Sequence, residues 1–429
     1  MRCPLSVLLL LMALPSLAAL PEAAELSAQA GYPPLLVSPT GAASLSRAAW
    51  EAQRAPELRQ LIQHYEYGFL PPPPAALQAK VVREDAHALG GQAVLKEVVL
   101  TWGTPGQRLS VLLVVPKHVP KPAVFLGLSF APYSEALDDP ALQLSEAWVP
   151  KRPYDAAGAH RSTATARGQI AARWQIPLII QRGYAVALFY PGELVPDDPA
   201  ESAAPLRAFR PAARAEQPGP EDCATIAAWA WGSMRVVDFL QTESSIDARR
   251  IALVGHSRLG KTALLTAALD PRIALAIPIQ AGCGGTGPSR VNPALSALQP
   301  NGRPTVETVA RINTSFPHWF NGRFKQFNDE PARLPFDQHA LLALCAPRPL
   351  LIAAAVDDVW ANPPGQFQMA RLADPVYRLL SSEGLDAFSM PEPGRLIASR
   401  LGWFIRPGKH EVNETDWRAF LDYADRWLR

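Results

Sequence analysis

The chain has 429 residues, with 41 basic and 39 acidic side chains and a formal net charge of +2. Such a balance offers neither nucleic acid nor an anionic membrane surface an electrostatic partner. With 48% hydrophobic and 19% charged residues it reads as an ordinary globular protein, and its 44 prolines predict many ordered, turn-rich loops.

The N-terminus reads MRCPLSVLLLLMALPSLAALPEAAEL. Arg2 supplies a positive start, Leu5 to Leu14 an apolar run, and Ser16-Leu17-Ala18 a small-x-small cleavage pattern. Residues 1–18 are therefore expected to be a secretory signal peptide, too short for a membrane anchor, with a buried N-terminal helix as the plainer alternative. No other stretch approaches the ~18 apolar residues of a membrane span, so the mature chain is expected to be secreted or periplasmic. Cys3 would leave with the signal. Cys223, Cys283 and Cys345 then allow at most one disulfide. The eight histidines show no H-E-x-x-H or similar ligand spacing, so no metal is expected.

Residues 19–75 read as an N-terminal extension, helical from Trp50 to Tyr67 and closed by the PPPP of residues 71–74. The main domain, 76–429, then carries the apolar runs KEVVLTW, LSVLLVVP, AVFLGLSF, YAVALFYP, RIALVG, IALAIPIQ and PLLIAAAV. Helical patterns fall among them in CATIAAWAWGSMRVVDFL, TALLTAALD, HALLALC and WRAFLDYADRWL. Early strands in tandem, followed by strand–helix alternation, predict a mostly parallel central sheet with helices on both faces, a three-layer α/β sandwich. A lid-like excursion is expected at 132–175.

The segment VGHSRLGKT matches two motifs. Gly255, Gly260, Lys261 and Thr262 satisfy the phosphate-binding G-x-x-x-x-G-K-[ST]. However, the spacer His-Ser-Arg-Leu contains no glycine, although a phosphate cradle favours small residues that let backbone approach closely, and an exported protein meets little ATP. Alternatively, Ser257 between those glycines, after an apolar strand, resembles the nucleophile elbow of the α/β-hydrolases. In that fold an acid follows on a later strand and a histidine follows the acid. LLIAAAV ends in Asp357-Asp358, and IRPGKHEV places His410 in a loop before the last helix. Either aspartate could serve, and His339 is a rival base that precedes both. Each residue also has a plainer role: Ser257 as a helix cap, His410 as a surface histidine, the aspartates as turn formers.

Beyond these motifs, RGYAVALFYPGE, AWAWGSMRVVDFL, VGHSRLGKTAL, GCGG, RINTSFPHWF, LPFDQHALLALCAPRPLLIAAAVDDVWANP and IRPGKHEV together resemble the bacterial glucuronoyl esterases of carbohydrate esterase family 15. The resemblance runs from about Tyr65 to the end and implies an α/β-hydrolase fold without a cofactor. It implies Ser257 as nucleophile, His410 as general base, and Arg258 facing the oxyanion. It also implies Lys261, Glu307 and Trp360 as sugar-binding residues. Many members carry the acid as a glutamate where this chain has Gln280, and some use the later aspartate, which selects Asp358. Where fungal members bridge two cysteines, this chain has His256 and Glu411. Between GCGG and VETV it carries a longer segment than the family pattern.

The implied reaction is hydrolysis of the ester between a glucuronic acid of xylan and a lignin alcohol, by a monomer with no nucleic-acid or membrane partner. Fold and triad do not choose the acyl group, so an acetyl or feruloyl carbohydrate ester is an alternative substrate. A catalytically silent carbohydrate-binding relative is an alternative of another class.

Overall fold

A computed structural model describes residues 20–37, 45–103, 107–152, 160–291, 305–381 and 383–429. The expected signal peptide, 1–18, and Cys3 lie outside the described residues, as does most of the longer segment after GCGG.

Nine strands form one sheet in the order β1-β2-β3-β5-β4-β6-β7-β8-β9. They are β1 (Leu77–Ala88), β2 (Ala93–Trp102), β3 (Arg108–Pro116), β4 (Val124–Leu128), β5 (Ala185–Phe189), β6 (Ile251–His256), β7 (Ile273–Ile279), β8 (Leu350–Ala355) and β9 (Leu401–Arg406). The first three pair antiparallel, and β3 joins β5 antiparallel. From β5 onward every pairing is parallel.

Side chains alternate across this sheet as strand geometry requires. Val124, Leu126, Ile251, Leu253, Ile352 and Trp403 join one core. Their immediate neighbours Phe125, Ala252, Val254, Leu351 and Phe404 join a second. The first core is covered by helices α1 (Ala55–Ile62), α2 (Thr225–Thr242), α3 (Arg258–Leu269), α4 (His339–Leu344) and α5 (Pro363–Ser381). The second is covered by α6 (Glu414–Leu428) and the short helix Ile176–Gln181. This is the expected three-layer sandwich.

The N-terminal helical run spans Arg47 to Tyr67 and is seated on the first core through Trp50, Leu58, Ile62 and Tyr65. Arg59 donates to Ala268 O at the end of α3, and the Tyr67 hydroxyl donates to Gly284 O at 2.7 Å. The expected excursion, read at 132–175, lies between β4 and β5 and contains short helical turns but no strand among its described residues.

Two strands and one long helix were not legible in the sequence. Strand β1 is an edge strand with Lys80 and Glu84 exposed and Arg83 turned to the buried Glu97, so charge interrupts any apolar run that would mark it. Strand β9 is six residues long and buried throughout. Helix α5 begins with Pro363 and Pro364 and holds Pro375 inside, three residues that read as breakers.

Candidate active site

The elbow forms where β6 ends and α3 begins. Ser257 sits between them at φ 58°, ψ −127°, a backbone conformation that costs a non-glycine residue roughly 1–3 kcal/mol. Its N–H donates to Ile279 O on β7 at 2.8 Å, and its carbonyl accepts from Gly260 N and Lys261 N. The two glycines of the motif have steric causes. A Cβ on Gly255 would fall 2.1 Å from Leu259 O, and one on Gly260 would fall 2.9 Å from Ile279 O. So tight a turn places Ser257 at the N-terminus of a 12-residue helix, where the macrodipole and unpaired N–H groups favour a developing negative charge.

Four adjacent parallel strands each deliver one residue at their carboxyl ends: Ser257 after β6, Gln280 after β7, Asp358 after β8 and His410 after β9. His410 Nδ1 lies 2.7 Å from Asp358 Oδ2. Asp358 is buried, and its other oxygen accepts the Ala361 N–H, whereas Asp357 is exposed. A carboxylate on Nδ1 fixes the tautomer with a proton there and leaves Nε2 as the basic nitrogen. The His410 ring packs on that of His256, the residue before the serine, with centroids 4.4 Å apart.

The loop that carries His410 is held from β9. The buried Arg406 guanidinium donates to Pro407 O, Lys409 O and Glu411 O and pairs with Asp416 at 2.7 Å. Asp357 N donates to Gly408 O from the neighbouring turn.

Arg258 is the first residue of α3, directly after the serine. Its guanidinium pairs with Asp197 and covers the Phe130 ring at 4.4 Å. Asp197 also accepts from His318 Nε2 at 3.0 Å and Trp319 Nε1 at 2.7 Å. Burial works against its charged form, but the His318 hydrogen bond and the Arg258 charge outweigh it and hold the carboxyl below its usual range. Sequence reasoning missed Asp197, because nothing in GELVPDD marks which aspartate will meet an arginine 61 residues later.

Lys261, Glu307 and Trp360 meet in a cluster of their own. Lys261 Nζ donates to Ala281 O at 2.5 Å, Cys283 O at 2.7 Å and Glu307 Oε2 at 3.0 Å. Trp360 Nε1 donates to Glu307 Oε1 at 2.6 Å, and Arg311 covers the Trp360 ring at 4.3 Å. Lys261 is only 2% exposed, and these three acceptors match its three N–H bonds. That ammonium therefore braces the GCGG turn and Glu307 instead of facing a phosphate cradle, which argues against the P-loop reading. The rival base His339 is buried elsewhere, with Nε2 against Pro33 O. Cys223, Cys283 and Cys345 are all buried free thiols. Among the described residues, no cluster of three His, Cys, Asp or Glu side chains could hold a metal, and no helix is long and apolar enough to cross a membrane.

The chain is similar to known proteins over most of its length. A prokaryotic relative, carbohydrate esterase MZ0003 from an unknown prokaryotic organism, is 40% identical over 92% of this chain and 89% of its own length. The chain belongs to carbohydrate esterase family 15. A model of fungal glucuronyl esterases matches residues 218–381, which hold the elbow, the GCGG turn and Asp358. The structure of a promiscuous family 15 esterase from a marine bacterial metagenome superposes with a TM-score of 0.84, at 38% identity over 95% of this chain and 99% of the other. A glucuronoyl esterase from Solibacter usitatus gives the same TM-score at 33% identity, over 95% and 100% of the two chains. The family resemblance and α/β-hydrolase fold read from the sequence are thus correct, and the chain is an esterase.

Proposed function

We propose that this family 15 esterase hydrolyses the ester between the C6 carboxyl of a (4-O-methyl-)glucuronic acid on xylan and a lignin alcohol. The observation that carries the reading is the Asp358–His410 pair, whose imidazole packs on His256, the residue before a strained Ser257 at a helix N-terminus. Fungal relatives named 4-O-methyl-glucuronoyl methylesterase support the acyl group, among them one from Podospora anserina, 34% identical over 39% of this chain and 34% of its own.

In the proposed mechanism, His410 Nε2 takes the Ser257 proton as Oγ attacks the C6 carbonyl carbon. The oxyanion forms at the N-terminus of α3, near Arg258, where each donor contributes roughly 3–4 kcal/mol in comparable sites. His410 then returns the proton to the leaving alkoxide, and the C6–O bond breaks. Water, deprotonated by His410, cleaves the glucuronoyl–serine ester and restores the hydroxyl. Asp358 orients the imidazole and stabilises its cation throughout.

Glu307 and Trp360 would receive the sugar hydroxyls, with Lys261 neutralising and fixing the Glu307 carboxylate between them. No cofactor enters this scheme. We further propose that residues 1–18 are removed on export, that 19–75 form an extension packed on the catalytic domain, and that the mature enzyme is a monomer acting outside the cytoplasm.

The deciding experiment is hydrolysis of benzyl glucuronate and of a small acetyl ester by wild type and Ser257→Ala. Turnover of the glucuronate ester, abolished in the variant, is the expected result. Turnover of the acetyl ester alone would replace the acyl group, and an inert wild type would leave a sugar-binding relative.

A further inference from the structure

The position at which many family members carry an acid is here an amide, and that amide is not idle. Gln280 follows β7 at φ 48° and is almost wholly buried. Its Oε1 lies 2.9 Å from His256 Nε2, and its Nε2 lies 3.0 Å from Glu411 O. One side chain therefore ties the residue before Ser257 to the residue after His410.

The proton positions in this chain are forced by chemistry. A guanidinium can only donate, and Arg173 lies 2.9 Å from His256 Nδ1, so that nitrogen accepts. The His256 proton must then sit on Nε2, which donates to Gln280 Oε1. The Glu411 carbonyl can only accept, so the Gln280 NH2 must face it. Every group in the relay Arg173–His256–Gln280–Glu411 has its complement.

An ionised glutamate at 280 would not fit the relay. It could accept from His256, but it would set an oxygen against the Glu411 carbonyl with no proton between them. The amide supplies the one donor and one acceptor that the geometry needs. The environment also holds His256 neutral: burial, the neighbouring His410 and Arg173 all push its imidazole well below the usual range. No second cation therefore stacks on the His410 ring when that imidazole takes its proton.

We infer that Gln280 is a positioning residue for the general base, a neutral strap that fixes the His410 loop against the nucleophile elbow through His256 and Glu411. The inference rests on His410 being the base. The strap complements the Arg406 clasp, because Arg406 holds the loop from its own strand whereas Gln280 holds it from β7, next to the serine strand.

The test compares Gln280→Leu, which lacks both arms, with Gln280→Glu, which keeps the shape and the acceptor but loses the donor to Glu411 O. Both are expected to lower kcat about 10- to 100-fold, the scale of a ~1 Å misplacement, and to slow fluorophosphonate labelling of Ser257 alike. KM for benzyl glucuronate stays at the wild-type value, since the Glu307 side of the site is untouched. If Gln280→Leu fails to fold, the near-isosteric Gln280→Glu decides. Nitrogen-15 NMR of the wild type is expected to show His256 as the Nε2–H tautomer, uncharged at neutral pH. Wild-type kcat in the folded variants, or an Nδ1–H or charged His256, overturns the strap. Full activity in His410→Ala would instead overturn the base assignment, and the tautomer result would stand apart from it.

Discussion

Asp358 Oδ2 and His410 Nδ1 meet at 2.7 Å from turns that follow adjacent strands, 52 residues apart in the chain. The carboxylate is buried and the imidazole is partly open to solvent, so the pair joins a dry anchor to an accessible base. Asp358→Asn keeps the shape but offers the wrong partner to Nδ1–H, and kcat is expected to fall by about 10³- to 10⁴-fold. The exposed neighbour, in Asp357→Asn, is expected to leave kcat near wild type. Kinetics of the two variants on benzyl glucuronate choose between the aspartates, and the opposite ranking would move the acid to 357.

Arg258 tests the oxyanion side. Its pairing with Asp197 and its seat on Phe130 fix the guanidinium in a way that a lysine cannot reproduce. Arg258→Lys is therefore expected to cost kcat about 10²- to 10³-fold, similar to the loss of an oxyanion donor. Asp197→Asn should give a smaller loss of the same kind, with little change in KM. A variant in which KM alone rises would mean that Arg258 binds the substrate uniformly in ground and transition states.

Glu307 is the centre of the sugar-side cluster, and it serves both binding and stability. Glu307→Gln removes the counter-charge of a buried ammonium, a change that costs about 3–5 kcal/mol when the remaining charge is fully buried. The expected signs are a lowered melting temperature together with a raised KM. Trp360→Phe removes the Nε1–H donor and part of the ring that Arg311 covers but leaves the Lys261–Glu307 pair in place, so it should raise KM with a smaller effect on melting. Unchanged KM in both variants would place the sugar elsewhere.

A pH effect on stability follows from Glu66, which lies beneath the GCGG turn. Burial pushes its carboxyl up to about 8, against the opposing Gln338 hydrogen bond. In the unfolded chain the group ionises near 4.5, so between these values the folded state holds the proton that the unfolded state has lost. Stability is then fully present below the unfolded value and falls as pH rises towards the folded one, by up to about 1.4 kcal/mol per pH unit. Thermal melting of wild type and Glu66→Gln between about pH 5 and 8 checks this. The wild-type curve should fall more steeply, and parallel curves would contradict it.

The sequence by itself determined the local chemistry of this protein. Seven strand runs were visible because strands buried within the sheet must be largely apolar, and the helical regions because each turns an apolar face to it. The elbow was visible because only glycine fits at 255 and 260, where backbone carbonyls approach within van der Waals contact. The order of Ser257, an aspartate at 357 or 358, and His410 followed from where strand ends fall along the chain, and the family resemblance chose Asp358. Strand β1 and helix α5 were hidden for the same reason in reverse, since charge on an exposed edge and proline within a helix mimic loop.

Only the tertiary structure decided who meets whom. It paired His410 with Asp358 rather than Asp357, because one carboxylate points into the turn and the other into solvent. It gave Arg258 to Asp197, Lys261 to two carbonyls and Glu307, and Gln280 to both His256 and Glu411. These partners lie from 20 to 131 residues apart in sequence. No local pattern encodes them, because contact across parallel strands depends on the order in which the sheet assembles and not on spacing along the chain.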